Sequence, residues 1–427
     1  MVVIPLLLVA LILVLEISAH EPIGIVSRAS IVTLSALSIL AYASLQLRKR
    51  NEIKDTVDNI WLAVVAFMFS YAVADLALGY VLIPPISPVL MPDPYVHHRL
   101  KPNTYSDERT TDFAIVVRVN NLGMRGADVE PVKPDTVYRI LMLGDSFTLG
   151  QGVKDNETFS AVLQKSLRDK DITVDGKTVQ VLNGGVDSYT PILEYFQLTR
   201  QMAALQPDLV VVNFDMGDLI QEIAYRELLV LGPDGEPIGV PQSYTERGES
   251  RSAPIVRWIN RNLFLTRLAI YHIGRLRQDE AITIENTVEQ ANTALLRHTL
   301  AADSTDRTEQ WADIFDSILR MQRFCADNGS EFLLTVYPWG HQVNDSEWIP
   351  GRWRFIPRDS RVSDRSIRTI EEFATANDIP LFNAFPAFRS YTGEQPLYFK
   401  HDMHWTPRGH ELMAAELERY VLLTVDD

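Results

Sequence analysis

The sequence has very little cysteine: Cys325 is the only one among 427 residues. A single thiol excludes an intramolecular disulfide framework and a cysteine-rich zinc site. Basic residues are also outnumbered, since 40 lysines and arginines stand against 55 aspartates and glutamates, and the net charge is −15. Internal repeats and low-complexity tracts are missing as well. Because phosphate binding needs a basic surface, this charge balance argues against a nucleic-acid partner.

Charge is almost missing from the first ninety residues. They carry five basic and six acidic side chains, a net charge of −1, which leaves −14 for the rest of the chain. Residues 25–47 and 60–83 are apolar runs that contain one charged residue each, Arg28 and Asp75. Each run reaches the roughly 20 residues that span a bilayer core. We therefore expect two membrane-spanning helices, with buried helices of a large soluble protein as the alternative.

A third apolar run, residues 2–15, is marginal in length for a bilayer. It fits a short first span, a helix packed on the others, or a signal-peptide core that lacks a basic start and a clear cleavage site. The basic residues at 48–50 and 54 should stay on the cytoplasmic side. Residues 1–83 are therefore predicted to be a multi-pass membrane anchor of two to three helices, and the rest of the chain to lie on the extracytoplasmic side.

Five prolines between residues 84 and 94 disfavour helix, so we predict a linker and lead-in over 84–114. Strand-length apolar runs then alternate with helical patterns through a folded domain at 115–427; these runs are 138–143, 179–182, 209–214, 331–337 and 380–382. Such alternation predicts an α/β fold with a parallel sheet covered on both faces. Residues 219–308 are too many for one crossover and predict an inserted helical lid or subdomain.

Ligands of parallel sheets bind beyond the carboxyl ends of the strands, and the first strand ends in Gly144-Asp145-Ser146. Ser146 stands where a nucleophile would be exposed at the mouth of the sheet, with its own amide near the start of a helix. The alternative is a serine that only caps that helix. Asp145 beside it is a candidate for loop and substrate contacts.

A second polar group lies before the last predicted helix, where Asp402 and His404 are two residues apart. The carboxylate of Asp402 would orient the imidazole of His404, which would act as general base to Ser146. Asp402, His404 and His410 would alternatively supply a zinc site. Nothing near the serine requires a cation, so we predict no metal and no cofactor.

The Gly-Asp-Ser-Phe-Thr segment at 144–148 and the Asp402/His404 pair followed by Thr-Pro-x-Gly-His resemble the SGNH or GDSL hydrolase superfamily of esterases and acyl hydrolases. The resemblance covers residues 115–425. It implies a flavodoxin-like three-layer sandwich with a parallel sheet. It also implies that Ser146 is the nucleophile and that Asp402 and His404 complete the triad.

Two positions depart from the family pattern in the groups that should bind the oxyanion. The second-block glycine falls on Ser188, whose backbone amide would still act as a donor beside that of Ser146. The third-block Gly-x-Asn-Asp falls on residues 215–218, so Gly217 stands where an asparagine side chain is expected. Losing one such donor costs roughly 10²–10³ in rate. Asn183 and Asn213, at the ends of adjacent strands, are candidates to replace it.

Several aromatic residues and a histidine cluster near the last strand ends: Trp339, His341, Trp348, Trp353 and Trp405. They would either stack on a sugar ring or an acyl chain, or fill the core. We predict substrate contacts for Asp145, His341 and Trp405. Upstream, residues 121–126 resemble a segment of bacterial membrane-linked members. Arg125 within it would pair either with a substrate carboxylate or with Asp128 or Glu130, and we favour the second, structural role.

These features together predict a membrane-anchored, extracytoplasmic serine esterase or acyl hydrolase that de-acylates a glycan or a small ester. The Asp-x-His spacing and the tryptophan after it also resemble polysaccharide O-acetyltransferases, so an O-acyltransferase supplied by a membrane acyl-donor partner is one alternative. A degenerate, non-catalytic domain that binds glycan or protein is another. Cys325 should be a buried free thiol.

Overall fold

The computed structural model describes residues 66, 70, 71, 74, 75, 89–242 and 294–425. Within these residues, no helix combines the length and the apolar character needed to cross a bilayer. The apolar runs at 2–15 and 25–47 lie outside the described residues, as does the run at 60–83 except for five helical positions. The membrane anchor therefore stays a prediction. From residue 89 onward, the described residues belong to one compact unit, Pro88–Glu246 with Gln278–Asp427.

The segment that we expected to be a linker and lead-in, residues 84–114, contains strands from residue 90 onward. These are β1 (Leu90–Pro92), β2 (His98–Leu100) and β3 (Thr104–Arg109), and β3 pairs with β4 (Ala114–Val119). β1 and β2 form an antiparallel pair, and Val96 and Leu100 are buried. Short edge strands tolerate proline, so the proline content did not exclude strands here.

A six-stranded sheet forms the centre of the unit. It consists of β5 (Val137–Gly144), β6 (Thr173–Val174), β7 (Lys177–Asn183), β8 (Leu209–Phe214), β11 (Glu331–Val336) and β12 (Leu381–Asn383), in the order β12-β11-β8-β5-β7-β6. Five strands are parallel, and β6 alone pairs antiparallel. The α/β class and the mostly parallel sheet, with all five predicted strands, are therefore confirmed.

From residue 89 onward, the described α-helices lie between these strands or follow the last of them. They are α1 (Ser146–Leu149), α2 (Phe159–Asp169), α3 (Pro191–Gln197), α4 (Asp218–Arg226), α5 (Thr308–Asp327), α6 (Gly340–Val343), α7 (Arg365–Ala376), α8 (Phe385–Ser390) and α9 (Pro407–Val425). α2 packs on α9 and β7, whereas α3, α4 and α5 pack together. The crossover from β5 to β7 contains α2, and the crossover from β7 to β8 contains α3 and runs in the opposite direction across the sheet. Because both crossovers are right-handed, α2 and α3 lie on opposite faces of the sheet.

The predicted helical insertion at 219–308 is not helical throughout its described part. α4 packs on α5 beside the sheet. A hairpin of β9 (Val230–Leu231) and β10 (Pro237–Gly239) follows it, with Gly235 at φ +81° in the turn. A left-handed turn residue of this kind favours glycine, which explains why the Gly/Pro-rich stretch forms a hairpin. Residues 243–293 lie outside the described residues.

Cys325 lies on α5 and is a buried free thiol, as predicted. Burial raises the pKa of the Cys325 thiol to about 12. A thiol that stays protonated is a weak nucleophile, so the chemistry of the site belongs to other residues.

Candidate active site

The carboxyl ends of the central parallel strands meet at one edge of the sheet. In the strand register, Met142 pairs with Asn183, and Gly144 pairs with Asn213. The segment that begins with Ser146 therefore starts beside the ends of β7 and β8. This edge is where the order of the strands predicts a ligand site.

Ser146 is held at the turn between β5 and α1. A Cβ atom on Gly144 would lie 2.2 Å from Oγ1 of Thr148, so only glycine lets the turn close this tightly. Asp145 caps α1, because its Oδ1 accepts the amide N–H of Phe147 at 2.8 Å. The side chain of Ser146 is thereby fixed at the mouth of the sheet, where the residue is 8% exposed.

Ser146, His404 and Asp402 form one hydrogen-bonded chain. The Ser146 hydroxyl donates to Nε2 of His404, with 2.7 Å between the two atoms. Nδ1 of the same ring donates to Oδ1 of Asp402, which also accepts the His404 amide N–H at 3.0 Å. The structure thus brings together the three residues that the sequence singled out as a triad, although they are up to 258 positions apart.

The surroundings of these three side chains favour an ionised Asp402 beside a protonated His404. Burial opposes the protonated imidazole, but the charge and hydrogen bond of Asp402, together with the charges of Asp187 and Asp215, outweigh burial and raise the pKa of His404 above its ordinary value. Burial likewise opposes ionisation of Asp402, and the charge and hydrogen bonds of His404 reverse this and lower the pKa of Asp402. A base stabilised in this way can hold a proton taken from Ser146.

The two backbone amides predicted to bind the oxyanion belong to Ser146 and Ser188. Among the described residues, the amide N–H groups of Ser146 and Ser188 have no hydrogen-bond acceptor. Ser188 has φ +61°, in the left-handed region that favours glycine, which is the residue the family carries there. The side-chain donor expected at position 217 is absent, because Gly217, the N-cap residue that precedes α4, has no side chain.

Asn183 and Asn213 do not replace the missing donor, contrary to our expectation. The side-chain amide of Asn183 donates to the carbonyl of Thr148 at 2.8 Å and to the hydroxyl of Ser160 at 3.0 Å. That of Asn213 donates to the carbonyl of Leu143 at 2.7 Å. Both amides donate to neighbouring groups of the protein, which a position at the end of a strand does not reveal.

The three residues predicted to contact substrate are instead buried in the structure. Asp145 is the helix cap described above and also accepts a hydrogen bond from the Tyr337 hydroxyl at 3.2 Å. Trp405 is fully buried, and its ring packs against Phe147. His341 is bonded through Nε2 to Thr299 at 2.9 Å, and burial lowers its pKa to about 3. In this structure the three side chains therefore contact other residues of the protein.

The other predicted aromatic platforms are also mostly core. Trp339 and Trp348 are buried and contact each other, with 5.4 Å between their ring centroids. Trp353 is half-buried, and the Arg358 guanidinium covers its ring at 4.2 Å. Trp339 and Trp348 therefore fill the core, which was the alternative to a role in stacking on a ligand.

The alternative zinc site does not assemble. His410 is buried, its Nδ1 accepts the Phe159 amide N–H at 3.2 Å, and its ring stacks on that of Phe159. Within the described ranges, Asp402, His404 and His410 are not among the side chains whose ligand atoms converge. His410 instead joins α9 to α2.

A buried cluster of three carboxyl groups, Asp145, Asp215 and Asp218, was not predicted. Their oxygens lie within 4.8 Å of one another. Oδ2 of Asp218 accepts the Asp215 amide N–H at 3.0 Å, and the Trp339 indole donates to Oδ1 of Asp215. Burial raises the pKa of all three groups. Protonation of the carboxyl groups, or a bound cation, would relieve the repulsion between their negative charges. The feature of the sequence that could have indicated this cluster was Asp215, at a position where the family motif has glycine.

Arg125 has the structural role that the sequence favoured, with a different acidic partner. Its Nε bonds Oδ1 of Asp155 at 3.0 Å, and its other nitrogens donate to the carbonyls of Leu149, Gly150 and Val153. The Arg125 side chain therefore holds the segment that follows α1, and neither Asp128 nor Glu130 pairs with it.

A serine, a histidine and an aspartate bonded in series at the carboxyl edge of a parallel sheet are the arrangement of a serine hydrolase. The model of the GDSL-like lipase/acylhydrolase family matches residues 142–412. The chain belongs to this family, whose membership supports a hydrolase function of the esterase or acylhydrolase type. A comparison with proteins of curated function gave no match.

Solved structures of related hydrolases are similar to this chain at low identity. A putative lipolytic protein of the G-D-S-L family from Desulfitobacterium hafniense is 14% identical, with 66% of this chain and 98% of that chain covered and a TM-score of 0.32. An acetyl xylan esterase is 12% identical, with 66% and 99% covered and a TM-score of 0.35. A lipase/acylhydrolase from Enterococcus faecalis is 13% identical, with 66% and 94% covered and a TM-score of 0.34. At these values the likeness carries no conclusion about substrate.

Proposed function

We propose that this protein is a serine esterase or acyl hydrolase that removes a small acyl group from a glycan or a small ester. The observation that carries the proposal is the 2.7 Å contact between the Ser146 hydroxyl and Nε2 of His404, in line with Asp402. The strand order also supports the SGNH type of flavodoxin-like three-layer sandwich, because the five parallel strands follow the order 2-1-3-4-5.

The reaction follows from the positions of the three side chains. Oγ of Ser146 attacks the ester carbonyl carbon, and its proton passes to Nε2 of His404. The tetrahedral intermediate then collapses, the carbon–oxygen bond to the alcohol breaks, and His404 returns the proton to the leaving oxygen. A water molecule activated by His404 attacks the acyl-enzyme in the same way and releases the acid. Asp402 stays ionised throughout and keeps the imidazole in one tautomer.

In this proposal the oxyanion is bound by the amide N–H groups of Ser146 and Ser188. An asparagine side chain would add a third donor at position 217, and its loss costs roughly 10²–10³ in rate. We therefore expect slow turnover of unactivated esters and faster turnover of esters with good leaving groups. No step of this scheme requires a metal or a cofactor.

The test is hydrolysis of p-nitrophenyl acetate by the full chain and by Ser146→Ala. We expect the variant to lose turnover and to keep its melting temperature. Ser390→Ala is the matched control, because Ser390 is exposed at the end of α8, and it should keep full activity. Undiminished turnover by Ser146→Ala would contradict the proposal. No turnover by the unchanged chain would favour the non-catalytic alternative, and transfer to an added oligosaccharide in preference to water would favour the acyltransferase.

We further propose that residues 1–83 anchor the catalytic unit in a cell membrane on the extracytoplasmic side. The support is the sequence alone: two apolar runs around a basic loop. Protease added to intact spheroplasts should digest the unit if the orientation is correct. Full protection of the unit, with digestion only after lysis, would contradict the orientation.

A further inference from the structure

The hairpin of β3 and β4 reaches the loop that carries Asp402 and His404. Its turn consists of residues 110–113, and the Thr110 amide donates to the Phe113 carbonyl at 2.9 Å. The Thr110 hydroxyl oxygen accepts the amide N–H of Asp112 at 3.1 Å and that of Phe113 at 3.3 Å. Because the turn is closed by its own side chain, Asp112 is presented at the tip in a fixed position.

The Asp112 carboxylate contacts two consecutive residues of the loop that carries Asp402 and His404, called the catalytic loop below. Oδ2 accepts the amide N–H groups of His401 and Asp402, both at 2.7 Å. Oδ1 lies 2.8 Å from Nδ1 of the His401 ring. The side chain is 8% exposed. Hydrogen bonds to an ionised carboxylate are short and about twice as strong as neutral ones.

Further contacts hold the same loop. The Phe113 ring packs against Phe399, with 5.2 Å between the centroids. The His401 carbonyl accepts a hydrogen bond from the Arg354 guanidinium, and the Phe399 amide donates to the His404 carbonyl at 3.0 Å. The loop is thus fixed through its carbonyls by Arg354 and through its amides by Asp112.

From this geometry we infer that Asp112 is a positioning residue of the active site, holding the backbone of Asp402 so that its carboxylate meets His404. The inference rests on the proposed function for its consequence in catalysis. Asp112 touches neither Ser146 nor His404, so it acts only through the loop. Without it, two part-buried amide groups lose their acceptor, and the Asp402 carboxylate gains freedom to turn away.

The experiment compares Asp112→Ala, Asp112→Asn and the control Asp135→Ala in the full chain. Asp135 is exposed and precedes β5, at the opposite end of that strand from Ser146. We expect Asp112→Ala to lower kcat for p-nitrophenyl acetate by roughly 10- to 100-fold, the size of effect that a misplacement near 1 Å produces. KM should change little. The acidic limb of the pH–rate profile should move to lower pH, because Asp402 no longer raises the pKa of His404 fully.

Asp112→Asn separates positioning from charge. The oxygen of the asparagine side chain can still accept both amide N–H groups, and its nitrogen can donate to the His401 ring. We therefore expect this variant to recover most of the activity that Asp112→Ala loses. If Asp112→Asn were as inactive as Asp112→Ala, the effect would come from charge, and the positioning role would be overturned. Asp135→Ala should match the unchanged chain.

Hydrogen–deuterium exchange of residues 397–405 provides a readout that does not depend on turnover. Faster exchange there in Asp112→Ala, but not in Asp112→Asn, is the result expected. Exchange and kcat that both stay unchanged in Asp112→Ala would overturn the inference. Faster exchange in a protein whose unchanged chain hydrolyses no ester would support the loop contact and contradict the proposed function instead. Asp112→Asn also serves as the test if Asp112→Ala fails to fold.

Discussion

Oδ2 of Asp215 lies 3.0 Å from the point where a Cβ atom on Gly217 would stand. The family motif has glycine at the position of Asp215 and asparagine at the position of Gly217, so this chain departs from the motif at both positions. The Asp215 carboxyl group, bonded to the Trp339 indole, now borders the space that the asparagine side chain would enter. The two departures from the family motif are therefore coupled through one contact.

This coupling predicts that the asparagine cannot be restored alone. Gly217→Asn by itself should leave turnover of p-nitrophenyl acetate unchanged or lower it, because the new side chain meets Asp215. The double variant Asp215→Gly/Gly217→Asn should raise kcat, by up to roughly 10²-fold if the third oxyanion donor is recovered. Kinetics of the two single variants and the double variant check this. A gain in Gly217→Asn equal to that in the double variant would show that Asp215 is no obstacle.

Asp402→Asn should lower kcat/KM by roughly 10³–10⁴, because an amide stabilises the wrong tautomer of the imidazole. The sign of the pH effect follows from His404. Since the Asp402 carboxylate raises the pKa of the imidazole, its loss lowers that pKa, and residual activity should persist to lower pH. The pH profile of kcat/KM measures both effects. An acidic limb that stays in place would contradict the pairing of the two residues.

Ser188→Gly tests whether the backbone or the hydroxyl supplies the second oxyanion donor. The variant keeps the amide N–H, and glycine adopts the observed φ of +61° without the cost of roughly 1 kcal/mol that other residues incur there. We expect turnover within a few-fold of the unchanged chain and a melting temperature that is equal or higher. A loss of two orders of magnitude would instead assign the donor to the Ser188 hydroxyl.

The buried carboxyl cluster predicts a pH-dependent stability. Burial, and then the charge of Asp215, raises the pKa of Asp218 well above its ordinary value, so the folded state binds more protons than the unfolded state above about pH 4. The free energy of unfolding should therefore fall as pH rises from there. Asp218→Asn removes this contribution and gives the unpartnered Oδ1 position a donor.

We expect Asp218→Asn to be more stable than the unchanged chain at pH 8, by roughly 1–3 kcal/mol, and nearly equal to it at pH 4. Urea unfolding at both pH values, in the presence of a chelator, gives the comparison. Asp135→Asn, at an exposed position, is the matched control and should show neither effect. A variant that is less stable at pH 8 would indicate that the ionised cluster is needed in the fold.

The sequence was sufficient for the strands, the class of fold and the three bonded residues, because these depend on apolar runs and on short motifs at strand ends. It was insufficient for Asp145, His341 and Trp405, since a residue next to a strand end faces either the ligand or the core, and side-chain packing decides which. Asn183 and Asn213 show the same limit. Asp112 was missed because its role depends on a contact with a loop 289 positions away.

The proline-rich start of the unit was underestimated for a related reason. Composition does not record pairing, and β1 to β4 are short strands that form two local antiparallel pairs, β1 with β2 and β3 with β4. The hairpin tip that carries Asp112 belongs to this segment. The contact between residues 84–114 and the catalytic loop becomes apparent only from the three-dimensional structure.

Activation of Ser146 as a nucleophile by His404 can be measured by labelling the protein with a fluorophosphonate probe and mapping the modified peptide by mass spectrometry. We predict one modification, at Ser146, whose rate rises with pH as His404 loses its proton and falls strongly in His404→Ala. Absence of labelling, labelling at another serine, or an equal rate in His404→Ala would contradict the account.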